Sequence, residues 1–359
     1  MPYDDWEPEV PGVNWDCLVI VLAPAKIPIE TIKGEGTMKV VVNGAGAIED
    51  VPGLSQIADR IDLVIAPDSD RLGQALPRAD VLLAWNMQSR DMHDHWHIAD
   101  SLKWIHWCGA GVDGILSPEL AASDIQLTNA RGVFDDVMAE YILAYMLSES
   151  MHLRETFELQ RRHEWKARMM SKLAGSTALI YGVGSIGRTT ARLLGSVGVQ
   201  VFGVGRSARL NDPDFHEVFK SGKEGHILSR ANWVIGLMPL TPQTESHFDA
   251  DLFAKMDSRS RFLNLGRGES VDEEALIAAL NEGAIAGAML DVFRTEPLDP
   301  KHPLWRAPNI VISPHSSSYY AEYEEDMVKQ FLENLDRFRS GEPLENVVDK
   351  SLGFVPSSA

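Results

Sequence analysis

An apolar tetrapeptide, Ala178-Leu179-Ile180-Tyr181, runs directly into Gly182-Val183-Gly184-Ser185-Ile186-Gly187, and a helical pattern continues from Ile186 to Val197. A strand that must turn into a helix through glycines admits few architectures: a buried strand, a turn free of side chains, and a helix folding back along the strand. Gly182 suits the tight turn, Gly184 leaves the backbone amides open to a pyrophosphate, and Gly187 lets helix and strand pack closely. The amides at the start of that helix, those of Ser185 and Ile186, stabilise negative charge. Such a glycine pattern also occurs in turns that bind nothing, so the rest of the chain must decide.

Short apolar runs separated by helical or turn-rich stretches occur twice. In the first half they are Lys39 to Asn43, Leu63 to Ala66, Val81 to Trp85, Trp104 to Trp107 and Gln126 to Asn129; in the second, Ala178 to Tyr181, Val199 to Val204, Trp233 to Met238, Arg261 to Leu265, Ala286 to Leu290 and Ile310 to Ser313. Such alternation predicts an α/β chain with two parallel sheets, each covered by helices on both faces. Between the halves, Phe134 to about Arg162 lacks interior Gly and Pro and repeats Val137, Tyr141, Ala144, Tyr145 and Ser148 at helical intervals, which predicts a long helix or helix pair. Helices are also expected over Asp272 to Glu282, stopped by Gly283, and over Tyr319 to Ser340, the last crossing back to the first unit. The apolar run Cys17 to Ala23 is broken by Pro24 and Pro28 and suggests no function.

With 359 residues the chain exceeds a single ordinary core. No stretch approaches the ~18 apolar residues of a membrane span, and the first eleven residues are acidic, unlike a secretory signal. The chain is therefore expected in the cytoplasm. Cys17 and Cys108 stand ninety-one positions apart and read as free thiols. A net charge of -19 argues against nucleic acid and membrane surfaces as partners. It also makes local clusters of arginine more informative.

One such cluster follows the second strand of the glycine-bearing unit. NAD sites carry an acidic residue there for the adenosine ribose. This chain has Gly205, eighteen residues past Gly187, and then Arg206, Ser207, Ala208 and Arg209. Two guanidiniums and a hydroxyl, with no carboxylate to repel it, suit a 2′-phosphate, so NADP(H) is favoured over NAD(H).

Three ionisable residues then complete a chemistry. Arg267, in Asn264-Leu265-Gly266-Arg267-Gly268, can hold a carboxylate and polarise a neighbouring carbonyl through its planar fork. His315, in Ser313-Pro314-His315, is a proton donor, since imidazoles ordinarily titrate near ~6.5. Glu296, in Asp291 to Pro297, would accept from the second ring nitrogen and favour the imidazolium. Each alone is commonplace. Together, and behind the glycine turn, they are what hydride transfer to a 2-keto acid requires.

In these segments, and in Met238-Pro239-Leu240-Thr241-Pro242-Gln243-Thr244, the chain resembles the D-isomer-specific 2-hydroxyacid dehydrogenase family, glyoxylate/hydroxypyruvate reductases included, from Met38 to the last helix. The resemblance implies a Rossmann cofactor domain, residues 134–315, and a flavodoxin-like discontinuous substrate domain, residues 1–133 and 316–359 with an extension over 1–38. It implies that Arg267 binds substrate, that Glu296 and His315 relay the proton, that Ala110 and Gly111 present amides to the substrate carboxylate, and that Pro239, Thr244 and Asp291 line the cofactor. A homodimer formed through the cofactor domain is implied as well. Three departures stand out: the missing acidic residue, Ser316-Ser317-Ser318 after the histidine, and Glu296 where formate-using relatives carry glutamine. Corepressors of the same fold, which bind nucleotide with little turnover, are the competing reading.

His93, His95 and His97 could suggest a metal, but on a helix His95 would point away from the other two, and no step here needs one. No metal is assigned. Cys108 has no neighbouring base and reads as packed, Trp104 and Trp107 as core, and Trp85 to Gln88 as either pocket wall or strand-end packing.

Overall fold

The computed structural model describes residues 31–33 and 38–356; Cys17, the Cys17 to Ala23 run and most of the 1–38 extension lie outside them. Two sheets organise the chain. The first contains β1 (Thr31–Lys33), β2 (Lys39–Asn43), β3 (Asp62–Ala66), β4 (Val81–Ala84), β5 (Trp104–Trp107) and β6 (Gln126–Asn129), in the order β1-β3-β2-β4-β5-β6. All its pairings are parallel except that of β1 with β3. The parallel part has the 2-1-3-4-5 order of flavodoxin-like sheets. Its strands are continuous apolar runs because both faces are covered: Val81–Ala84 and Trp104–Trp107 are buried at every position.

The second sheet contains β7 (Thr177–Tyr181), β8 (Gln200–Gly205), β9 (Val218–Lys220), β10 (Trp233–Gly236), β11 (Arg261–Asn264), β12 (Gly287–Leu290) and β13 (Ile310–Ile312), in the order β13-β12-β11-β10-β7-β8-β9 and parallel throughout. Counted from β7, the order is 3-2-1-4-5-6 with one further strand, the doubly wound Rossmann arrangement. The direction in which strands are added reverses between β7 and β10, the place where such sheets open a crevice at their carboxyl ends. The glycine turn leaves β7 there.

The connecting segment is a helix pair, Asp135–Ser150 and Leu153–Arg161, broken at His152, whose φ is +50°. The first of these packs on Ser185–Ser196, the helix that leaves the glycine turn. Its buried positions are Met138, Ala139, Ile142, Tyr145, Met146 and Ser150, so of the expected face only Tyr145 is buried. Apolar residues lie all around this helix; Val137 and Tyr141 are themselves packed against the core, and periodicity could not select a face. The last helix begins at Tyr323, not Tyr319, because residues 319–320 are irregular and 321–322 form a turn. It returns to the first sheet, where Phe331 stacks on Trp104 with centroids 5.4 Å apart. Trp104 and Trp107 are core, and Cys108 is buried and unpaired, with burial pushing its thiol well up from the usual range.

Candidate active site

Arg267, Glu296 and His315 follow β11, β12 and β13, three neighbouring parallel strands, so their loops leave the sheet at the same edge. Neighbouring strands lie roughly 4.8 Å apart, so residues far apart in the chain fall within one site. His315 Nδ1 lies 2.7 Å from Glu296 Oε2, while Glu296 Oε1 accepts the Phe293 amide at 2.8 Å. Burial pushes the Glu296 carboxyl up, but the His315 hydrogen bond, the Phe293 amide and the charges of His315 and Arg267 bring it below its ordinary value. The ring orientation is thus fixed by a carboxylate. The second ring nitrogen is left for other work.

His315 holds φ at +52°, a left-handed conformation that non-glycine residues rarely adopt. Asp291 holds it there. The Asp291 carbonyl accepts the His315 amide at 2.8 Å, and its carboxylate accepts the Ser313 hydroxyl at 2.6 Å and the amides of Ser316 and Ser317 at 3.0 and 3.1 Å. Only 1% of Asp291 is exposed. Its side chain braces the histidine loop, because two successive serine amides and a hydroxyl converge on it.

Arg267 is braced from below. Asn264 donates to the Arg267 carbonyl at 2.9 Å, as does the Ser270 hydroxyl at 2.6 Å. Its guanidinium reaches across to the first sheet, where Nε donates to Asp113 Oδ1 at 2.9 Å, while Nη1 bonds the Gly266 carbonyl at 3.0 Å. A Cβ placed on Gly111 would lie 2.0 Å from Nη2, so this remaining edge of the guanidinium faces the Ala110–Gly111 backbone that follows β5. Trp107 donates to the Gly111 carbonyl at 2.8 Å, and Asn129 Nδ2 to that of Ala110, which fixes the loop. The carboxyl edges of the two sheets therefore face each other here. Asp113 is the partner that sequence reasoning missed; its only signal was its place next to the glycines of Gly109 to Gly111.

The glycine turn is shaped for a large ligand. A Cβ on Gly182 would lie 2.5 Å from the Leu237 carbonyl and one on Gly187 2.0 Å from the Gly182 carbonyl, whereas one on Gly184 would meet nothing within 4 Å. Two glycines are required by packing and the third faces open space. Gly184 caps Ser185–Ser196 without a side-chain bond, which leaves the first helical amides, including those of Ser185 and Ile186, open to an anion. The Ser185 hydroxyl is 3.1 Å from Asp135 Oδ1. Thr244 accepts the Thr241 amide at 2.8 Å and donates to the Pro239 carbonyl at 2.7 Å, so these two residues define the loop after β10. These residues fit a dinucleotide.

The arginines after β8 separate. Arg209 Nε lies 3.3 Å from Asp212 Oδ2, and Arg188 bonds Asp212 and Asp214 at 2.9 and 2.6 Å, with Arg192 on Asp214 at 3.2 Å. The sequence reading had not counted Asp212 and Asp214, which offset part of the positive charge at this corner and occupy part of Arg209. Arg206 and Ser207 are exposed. Of the three histidines, two face different partners: His93 Nε2 lies 3.2 Å from the Gly114 carbonyl and His95 Nε2 2.9 Å from the Ser69 hydroxyl.

The family model described as D-isomer specific 2-hydroxyacid dehydrogenase, NAD binding domain, matches residues 143–317. The glyoxylate reductase of Thermofilum pendens is 30% identical over 313 residues, 84% of this chain and 92% of that protein. The glyoxylate/hydroxypyruvate reductase A of Escherichia fergusonii is 30% identical over 301 residues, 79% of this chain and 94% of that protein. Among solved structures, the NADPH-dependent glyoxylate/hydroxypyruvate reductase of Sinorhizobium meliloti, in complex with NADP and sulfate, superposes with a TM-score of 0.77 at 30% identity, covering 88% of this chain and all of that one.

Proposed function

The chain belongs to the D-isomer specific 2-hydroxyacid dehydrogenases, NAD(P)-dependent oxidoreductases, and from that premise we propose that it reduces small 2-keto acids of the glyoxylate and hydroxypyruvate kind, with NADPH preferred over NADH. The observation that carries the proposal is the meeting of two lobes at one point: an arginine edge directed at a backbone loop, beside an imidazole held by a carboxylate.

Nicotinamide, when bound, supplies the hydride. The protein residues do the rest. Arg267 engages the substrate carboxylate and carbonyl through the guanidinium edge facing Gly111, with the Ala110 and Gly111 amides as further donors. His315 gives its proton to the carbonyl oxygen as negative charge develops there, and Glu296 stabilises the imidazolium and keeps the ring from turning. The amides after Gly184 hold the pyrophosphate, and Arg206 with Ser207 takes the 2′-phosphate, Arg209 contributing the donors that Asp212 leaves. Relatives that bind NADP support this cofactor assignment.

The cofactor lobe is taken as residues 134–315 and the substrate lobe as 1–133 with 316–359. The homodimer reading is supported by apolar exposure on the second helix of the pair and the segment after it, where Phe157 is 59% exposed, Met169 89% and Trp165 fully exposed, a surface that a second copy would cover. A cytoplasmic location fits a chain in which, among the described residues, no helix is long and apolar enough to cross a membrane.

The test is a panel of 2-keto acids with NADPH and with NADH, followed by nucleotide absorbance. Turnover of glyoxylate or hydroxypyruvate with higher kcat/KM for NADPH is expected. Nucleotide binding with no turnover of any keto acid would favour the corepressor reading and overturn this one.

A further inference from the structure

At the end of β8, Arg206 differs from its neighbours. Arg188, Arg192 and Arg209 are paired with Asp212 or Asp214, whereas among the described residues no carboxylate pairs with Arg206. Its guanidinium carbon instead lies 4.6 Å from the centroid of the Phe354 ring. Phe354 belongs to the other lobe. It sits on a small loop after the last helix, in which the Asp349 amide donates to the Phe354 carbonyl at 3.1 Å and Gly353, at φ +76°, turns the chain. Asp349 lies near enough to feel the charge of Arg206, but it spends its carboxylate on the hydroxyl and amide of Ser351 and the amide of Leu352.

The loop is fastened to the first lobe. The Val348 amide donates to the Leu127 carbonyl at 2.8 Å, in β6, and Lys350 Nζ donates to the Leu120 and Ile125 carbonyls, both at 3.0 Å. Arg131 Nη1 donates to the Val355 and Pro356 carbonyls at 3.4 and 3.3 Å. The ring is therefore held by the first sheet while its cation stands on the second.

We propose that Phe354 is the platform on which Arg206 is held to read the cofactor 2′-phosphate, so that NADPH selectivity is supplied jointly by the two lobes. The proposal rests on the assignment of Arg206 to that phosphate. Stacking over a ring occupies one face of a guanidinium and leaves its in-plane N–H donors free for phosphate oxygens. An exposed arginine without such a support loses rotamer freedom when it binds. The ring imposes part of that order beforehand, and it does so only while the lobes stand in this relation. Phe354 is thus a positioning residue, acting through Arg206.

The test uses the full chain and calorimetric titration with 2′,5′-ADP, which carries the 2′-phosphate, and with 5′-AMP, which lacks it. Phe354→Ala and Phe354→Leu should each raise Kd for 2′,5′-ADP about two- to five-fold, roughly 0.4–1 kcal/mol, and leave 5′-AMP unchanged. Phe354→Tyr should restore the wild-type ratio. An equal effect on both nucleotides, no effect on either, or a leucine variant that binds like wild type would overturn the platform. Arg206→Ala separates this from failure of the underlying assignment. If it leaves the ratio of the two affinities unchanged, Arg206 does not read the phosphate and both readings fall; if it abolishes the ratio while Phe354→Ala does not move it, only the platform falls.

Discussion

Gly111→Ala tests the active-site geometry with one methyl group. The backbone of Gly111 is outside the left-handed region, so alanine is compatible with it. Its methyl would lie 2.0 Å from Arg267 Nη2 and 2.7 Å from Cζ, and ordinary contact needs about 3.5 Å, so the guanidinium must retreat by roughly 1.5 Å. Arg267 is a long side chain, 25% exposed, and can swing away at little cost to the fold. Its substrate edge cannot stay in place. A displacement of about 1 Å can cost on the order of 10²-fold in rate, about 2.7 kcal/mol of transition-state stabilisation. The expected outcome is a kcat/KM for glyoxylate lower by about 10²-fold, with Kd for NADPH and Tm nearly those of the wild type. In an Arg267→Ala background the same methyl should change kcat/KM less than about three-fold, because the group it displaces is gone. Gly111→Ala retaining wild-type kcat/KM would refute the placement of Arg267, and a full 10²-fold loss in both backgrounds would show that the methyl acts on the loop itself. Gly268 is a useful contrast: a Cβ there would lie 1.9 Å from the Phe293 backbone, where no flexible side chain can yield, and Gly268→Ala should impair folding.

Glu296→Gln addresses the proton. The depressed Glu296 carboxyl means that its ion pair with His315 is present above the ordinary value of 4.5 and is lost as pH falls through the lower folded value. Glutamine removes that charge at every pH, so the ring loses its ionic partner and keto acid reduction should slow at neutral pH. A hydrogen bond to a charged group is worth about 1.5–3 kcal/mol, and with side chains 43% and 34% exposed the low end applies, a loss of about ten-fold in kcat/KM. A glutamine variant with wild-type kcat/KM would remove Glu296 from the proton relay. Trp165→Glu should halve the mass measured by light scattering if the exposed apolar face is the dimer contact; an unchanged mass would place the contact elsewhere.

What could be read in the sequence was what burial writes into it. Lys39–Asn43, Trp104–Trp107 and Gln126–Asn129 were bounded end to end, since a strand covered on both faces is an apolar run with polar punctuation. β1 and β9 were missed for the converse reason: both are three-residue strands at sheet edges, and Thr31-Ile32-Lys33 has no apolar run to notice. Gly182 and Gly187 were legible because glycine is the only residue that their contacts allow.

Side-chain partners are a different kind of information. Arg267, Glu296 and His315 could be chosen from the chain because each follows a strand and sheet order does the rest, but nothing in the sequence pairs Arg267 with Asp113, directs the Asp291 carboxylate into the histidine loop, or gives Asp212 to Arg188. These pairings cross between elements whose distance in sequence says nothing about their distance in space. They also share a consequence. Asp291 holds a histidine in a left-handed backbone, Asp113 holds the arginine from the opposite lobe, and Phe354 lies under Arg206 from across the cleft, so the groups proposed for chemistry and recognition are each held by another residue. Selectivity and rate in this chain should therefore respond to substitutions at such supporting positions, and those on the far lobe should reveal themselves by affecting cofactor and substrate steps separately.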